Sequence, residues 1–174
     1  MKKLFIGILI LLVFLMGCNA EDEYESPVYM GEDLTIGVIG EKPDVREENV
    51  SFHNMSLEEL EYENQGISDE YDAIFIMKEY LKQAGENKYS KVYSELKLPI
   101  FFIESEKAYV PFIYDDITYD EFPDVEDQMY ISGIMSEGDG RFKTWGFGLY
   151  NDTKTETNIR STYSSIFEKI DSVN

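Results

Sequence analysis

"YDAIFIM", residues 71–77, decides how this chain folds. Five of its residues in a row (Ala73 to Met77) are apolar, with two isoleucines and a phenylalanine among them. The run is too short for a helix, and it does not alternate as a strand wetted on one face would, so it reads as a strand buried on both faces. Two more runs of the same kind flank it: "LTIGVIG" (34–40), ended by Gly40, and "LPIFFIE" (98–104).

The segments between these runs have other periodicities. "NVSFHNM" (49–55) alternates, with Val50, Phe52 and Asn54 on one face, and reads as a further strand. In "SLEELE" (56–61), Ser56 and Glu59 have the spacing of a capping box, which starts a helix. From Lys78 to Leu96 the pattern is helical, with Tyr89, Val92, Tyr93 and Leu96 on one stripe, and Gly85 and Asn87 mark a break into two helices. Buried strands separated by helices imply parallel strands covered on both sides. The fold class expected is therefore α/β: a small Rossmann-like sheet with helices on both faces.

Past residue 104 the pattern changes. "YVPFIY" (109–114) reads as a short strand or extended piece limited by Pro111. "QMYISGIMS" and "RFKTWGFGLY", joined by "EGDG" (137–140), read as a β-hairpin with a four-residue turn. Thr153 and Glu156 offer a second capping box. Ile159, Tyr163, Ile166, Ile170 and Val173 then recur at helical spacing, giving a C-terminal amphipathic helix.

The first residues have a separate logic. Lys2 and Lys3 precede "LFIGILILLVFLMG" (4–17), which carries no charge, and acidic residues follow from Glu21. A basic start, an apolar stretch and small residues at its end form an export signal, and the stretch is short for a spanning helix, which needs about 20 apolar residues. "LMGC" (15–18) resembles the lipobox of bacterial lipoproteins: Leu15, Gly17 and Cys18 fit, and Met16 is bulkier than the usual residue there. The resemblance implies cleavage before Cys18, a diacylglyceryl group (and further acylation such as palmitate) on its thiol, and a protein facing outward from the cell membrane. The alternatives are an ordinary secretory signal cut elsewhere and an uncleaved anchor. The expected division is a signal peptide over 1–17, an acidic tether over 18–31 carrying Pro27, and one α/β domain over 32–174.

Losing Lys2 and Lys3 takes the basic residues from 15 to 13 against 35 acids, and the formal charge from −20 to −22. Nucleic acid is an unsuitable partner, since phosphate binding needs clustered Lys and Arg. A basic protein or a cationic ligand is the partner such a surface favours, and the bland role of the charge is solubility at the cell surface. With Cys18, the only cysteine, lipidated, the domain has neither disulfide nor thiol chemistry.

Candidate sites are few. Gly37 and Gly40 lack the third glycine and helix start of a dinucleotide motif, so no cofactor is expected. His53, the only histidine, has no triad or metal partners in sight and reads as an edge residue. The acids of "DDITYDEFPDVEDQ" (115–128), namely Asp115, Asp116, Asp120, Glu121, Asp124, Glu126 and Asp127, read as a solvated loop, with calcium as the alternative although the spacing is not that of an EF-hand. Glu137 and Asp139 in the hairpin turn are too few to add to it. Tyr114, Tyr119, Phe122 and Tyr130 are interleaved with those acids and could form an aromatic wall for a cation, or be core and edge residues. Trp145 and Gly146 to Gly148 suggest close packing on the hairpin or a shallow binding face, with packing the default. No catalytic residue and no metal ligand is assigned. The sequons at Asn49, Asn54 and Asn151 carry no expected glycan in a bacterial protein.

The function expected is that of a non-enzymatic binding or interaction module held at the cell envelope by its lipid. Alternatives are a reduced solute-binding lipoprotein serving a transporter and an enzyme working through carboxylates.

Overall fold

A computed structural model describes residues 22–62, 64–124 and 129–174. Cys18, Glu126 and Asp127 lie outside the described residues. The chain forms a six-stranded mixed sheet with helices on both faces and a C-terminal hairpin and helix.

In chain order the elements are β1 (Leu34–Ile39), β2 (Val50–Asn54), α1 (Leu57–Tyr62), α2 (Asn64–Glu70), β3 (Ala73–Ile76), α3 (Leu81–Ala84), α4 (Asn87–Glu95), β4 (Ile100–Ile103), α5 (Val110–Ile113), β5 (Met129–Gly138), β6 (Arg141–Gly148) and α6 (Glu156–Asp171). The sheet order is β2-β1-β3-β4-β5-β6. The first four strands are parallel, and β5 and β6 each run antiparallel to the strand before.

The continuous apolar runs follow from burial on both faces. Ile74 and Ile76 of β3, with Ile100 and Phe102 of β4, point into a core roofed by Leu57, Leu60, Leu81, Tyr89, Val92, Tyr93 and Phe112 from α1, α3, α4 and α5. Phe75, Phe101 and Ile103 alternate to the other face and meet Tyr163, Ile166, Phe167 and Ile170 of α6. Phe75 stacks on both Tyr163 and Phe167. Each large side chain fully removed from water contributes roughly 1.5–3 kcal/mol.

Ser56 and Glu59 make the reciprocal capping box, Ser56 N donating to Glu59 Oε2 (2.6 Å) and Glu59 N to Ser56 Oγ (3.1 Å). Residues 78–95 divide into a 3₁₀ turn at Lys78–Tyr80, then α3 and α4, with Gly85 at the break. Trp145 stacks on Phe101 beside Gly133, where a Cβ would meet the Phe101 ring at 2.7 Å, so the hairpin does pack closely.

Four expectations are corrected. "VPFI" (110–113) is a short helix and not a strand: Pro111 sits in its first turn, where a missing N–H costs nothing, and Phe112 stacks on Phe102. The hairpin turn has two residues and not four. Asp139 (φ 54°) and Gly140 (φ 72°) are both left-handed, as a type I′ turn requires. The cap of α6 is Thr155, whose hydroxyl accepts from Asn158 N. Thr153 is instead used by the 3₁₀ turn at Tyr150–Asp152, donating its N–H to Tyr150 O and its hydroxyl to Asn151 O.

The fourth correction concerns the segment expected as tether. From Asp22 to Gly31 the chain lies along α6 from its first turn to its last. Tyr24 N donates to Asn158 Oδ1, Ser26 N to Ser161 Oγ, and Tyr29 is buried against Phe167. On the α6 side of the sheet this strip adds Tyr29 to the core that the helix covers. Two polar knots hold it. Asn158, buried, donates from Nδ2 to Asp22 O, Tyr150 O and Thr153 O. Glu47, also buried, accepts from Tyr29 N, Arg46 N and Ser164 Oγ, while Arg46 donates to Ser26 O, Ser26 Oγ and Ser164 Oγ. Among the described residues no helix is long and apolar enough to cross a membrane.

Candidate functional site: a crevice at the carboxyl end of the parallel strands

Strand β1 hands the chain to β2 on one side, and β3 hands it to β4 on the other, so the strand order reverses between β1 and β3. The connections there leave in opposite directions: residues 40–49 cross without a helix on the α6 side, where Val45 packs, while α3 and α4 cross on the opposite side. Crevices form at such reversals, outside the carboxyl ends of the strands. Here one has a volume of about 440 Å³ and is walled by Asp44 after β1, Met77 after β3, Glu104 after β4, Tyr130 of β5, and Lys154, Glu156 and Arg160 at the start of α6.

Glu104 is the residue that stands out. Its backbone is left-handed at φ 56°, a region that short Asn and Asp tolerate and a longer side chain seldom enters, at a cost of about 1–3 kcal/mol. Its carboxylate receives Lys154 Nζ at 2.5 Å and has Lys78 Nζ at 3.7 Å. Partial burial by itself pushes this carboxyl up. The hydrogen bond and charge of Lys154, the charge of Lys78 and the Tyr130 hydroxyl outweigh that and hold it below the usual carboxylate range. Burial first, then the charge and hydrogen bond of Glu104, push the Tyr130 phenol well up, so it stays a donor to the carboxylate at all physiological pH. Lys154 Nζ lies 5.6 Å from the centre of the Tyr130 ring.

On the facing wall Arg160 bridges Asp44 and Glu156, the latter at 2.6 Å. Its Nε is buried and has no hydrogen-bond partner among the described residues. Asp44, Glu104 and Glu156 are thus balanced by Lys154, Arg160 and Lys78. In a chain of net charge −20, the lining of this crevice is close to neutral, three acids against two bases with Lys78 just outside, and it adds two tyrosines (Tyr130 and Tyr163) and apolar walls from Met77 and Ile159.

The candidate residues read from sequence lie elsewhere or apart. Gly40 (φ 122°) ends β1 with the Glu79 carboxylate and Met77 against its α-carbon, and Glu41 N donates to Glu79 Oε1, so the strand-end glycine serves the turn. His53 is exposed on the edge strand β2 and meets Tyr71 edge-on at 6.1 Å. Asp115, Asp116, Asp120, Glu121 and Asp124 are exposed. Asp120 pairs with Lys82, Asp124 with Lys107, and Glu121 accepts from Thr118. Among the described residues, no group of three or more His, Cys, Asp or Glu could hold a metal ion.

The four aromatics do not form one wall. Tyr119 packs on Phe112 with Lys107 Nζ 5.2 Å from its ring centre, Tyr114 is exposed, and Tyr130 belongs to the crevice. Glu104, Lys154 and Arg160 carried no candidate role in the sequence. The one available signal was an acid closing an apolar strand, and it does not reveal a left-handed backbone.

Compared with known proteins, the chain matches no family model, no curated protein sequence and no solved structure.

Proposed function

We propose that this protein is a bacterial lipoprotein, held through Cys18 at the outward face of the cell membrane, and that its domain is a non-enzymatic binding module whose ligand site is the crevice around Glu104. The lipobox-like Leu15-Met16-Gly17-Cys18 after an uncharged apolar stretch supports the anchoring. The observation that carries the binding reading is Glu104 itself, a strained residue whose carboxylate faces a crevice at the strand-order reversal. Strain of this kind persists where a side chain must be held in one place.

The ligand class is a small zwitterion, an amino acid or short peptide. Lys154, Arg160 and the amide end of α6 suit a carboxylate. Glu104, Asp44 and Glu156 suit an ammonium group, and a crevice of about 440 Å³ falls in the range for small-molecule sites. The alternative, a reduced solute-binding lipoprotein serving a transporter, would use the same crevice.

Thermal denaturation of the folded domain with a panel of amino acids and dipeptides tests the site. A ligand at a hundred times its Kd should add about 2.7 kcal/mol of stability, a shift of roughly 5–10 °C, and Glu104→Gln and Lys154→Met should each abolish it. A panel that leaves the wild-type melting temperature unmoved refutes the zwitterion site.

A further inference from the structure

The docking of residues 22–31 along α6 has a consequence for how the molecule stands on its membrane. If the whole of 18–31 were free, the lipid on Cys18 could lie about 45 Å from the domain, and the domain would tumble. With Asp22 tied to Asn158 and Glu23 to Thr157, only the steps from Cys18 to Asp22 remain, at most about 14 Å of chain. A lipid on Cys18 would therefore attach within about 14 Å of the first turn of α6.

That turn belongs to the crevice. Thr155, Glu156, Ile159 and Arg160 line it, and the strands that end around it are the parallel ones. Helix α6, of 16 residues, extends about 24 Å away from this end. The end itself carries Tyr24 and Tyr150, which are 51 % and 44 % exposed with ring centres 5.4 Å apart. Exposed tyrosines of this kind suit the headgroup layer of a bilayer.

We propose that the protein stands with the carboxyl end of its parallel strands against the bilayer surface, Tyr24 and Tyr150 at the headgroups, so that the crevice opens toward the membrane on a spacer too short to turn it away. The strong negative charge sets the kind of surface: a zwitterionic one, since anionic lipid would repel a mature chain of net charge −22, without Lys2 and Lys3. This orientation rests on the lipid attachment at Cys18 and not on the identity of the crevice ligand.

The test uses the lipidated full chain in phosphatidylcholine vesicles that contain a headgroup-spin-labelled lipid. Cys18 is the only cysteine and is capped as a thioether, so an introduced cysteine is the sole thiol. A fluorophore is placed through Glu41→Cys, exposed past the end of β1, or through Ser172→Cys, exposed past the end of α6. The expected result is quenching several-fold stronger at position 41 than at 172, with the contrast reduced by Asn158→Ala, which frees Asp22 O and Tyr24 N at the head of the docked segment and lengthens the spacer. Equal or reversed quenching in protein that floats with the vesicles overturns the orientation and leaves the anchor standing. An undiminished contrast in Asn158→Ala overturns the role given to the Asn158 tie in shortening the spacer. Failure of the wild-type chain to float overturns the anchor, and the orientation with it.

Discussion

Glu104 was legible only as the last letter of "LPIFFIE" (98–104). Its strand could be read from hydrophobicity, but its left-handed backbone and its partners Lys154 and Lys78, from distant loops, could not, because no local pattern encodes a contact across fifty residues. Its energetic signature is directional. The folded-state value lies below the usual 4.5, so the contribution of the ion pair is complete above the unfolded value and is lost as pH falls through the folded one. Urea denaturation of wild type and Glu104→Gln across pH should therefore show a stability gap that is constant at neutral pH and closes below about pH 4.5. A gap that widens on acidification would reverse the sign assigned to this group.

At the scale of elements, the buried strands and the long helices were legible because apolar periodicity reflects burial directly. The Tyr89, Val92, Tyr93 stripe of α4 and the Tyr163, Ile166, Ile170 stripe of α6 face the two cores as their spacing implies. A one-turn helix was not legible. Four residues of "VPFI" have no period to read, and the β-branched and aromatic residues favour a strand until Phe112 finds Phe102. The strip at 22–31 misled for a different reason. Its acids and Pro27 look like a linker, while its anchorage comes from Asn158, Glu47 and Arg46, all far along the chain. Asn158 is the larger knot, joined to Tyr24 N and three carbonyls. Asn158→Ala should cost about 1–3 kcal/mol in denaturant unfolding, since buried partners lose their hydrogen bonds. Limited proteolysis should then cleave within residues 22–31 before the rest of the domain. Unchanged protease resistance would show that the Glu47–Arg46 knot and the packing of Tyr29 hold the strip without Asn158.

On the scale of the whole molecule, one sheet with two cores explains how a domain without disulfides folds on hydrophobic burial, and composition anticipated that. What composition could not anticipate is a nearly neutral crevice in a strongly acidic chain, because opposite charges from four separate stretches of the chain are brought together only by the topology. Where the crevice works depends on the N-terminus. The most direct measurement is the intact mass, with fragmentation of the N-terminal peptide, of the protein isolated from its own membrane. The account predicts a chain that begins at Cys18 with a diacylglyceryl thioether and lacks residues 1–17. A chain that retains Met1, or starts elsewhere with a free thiol or no cysteine, would contradict it.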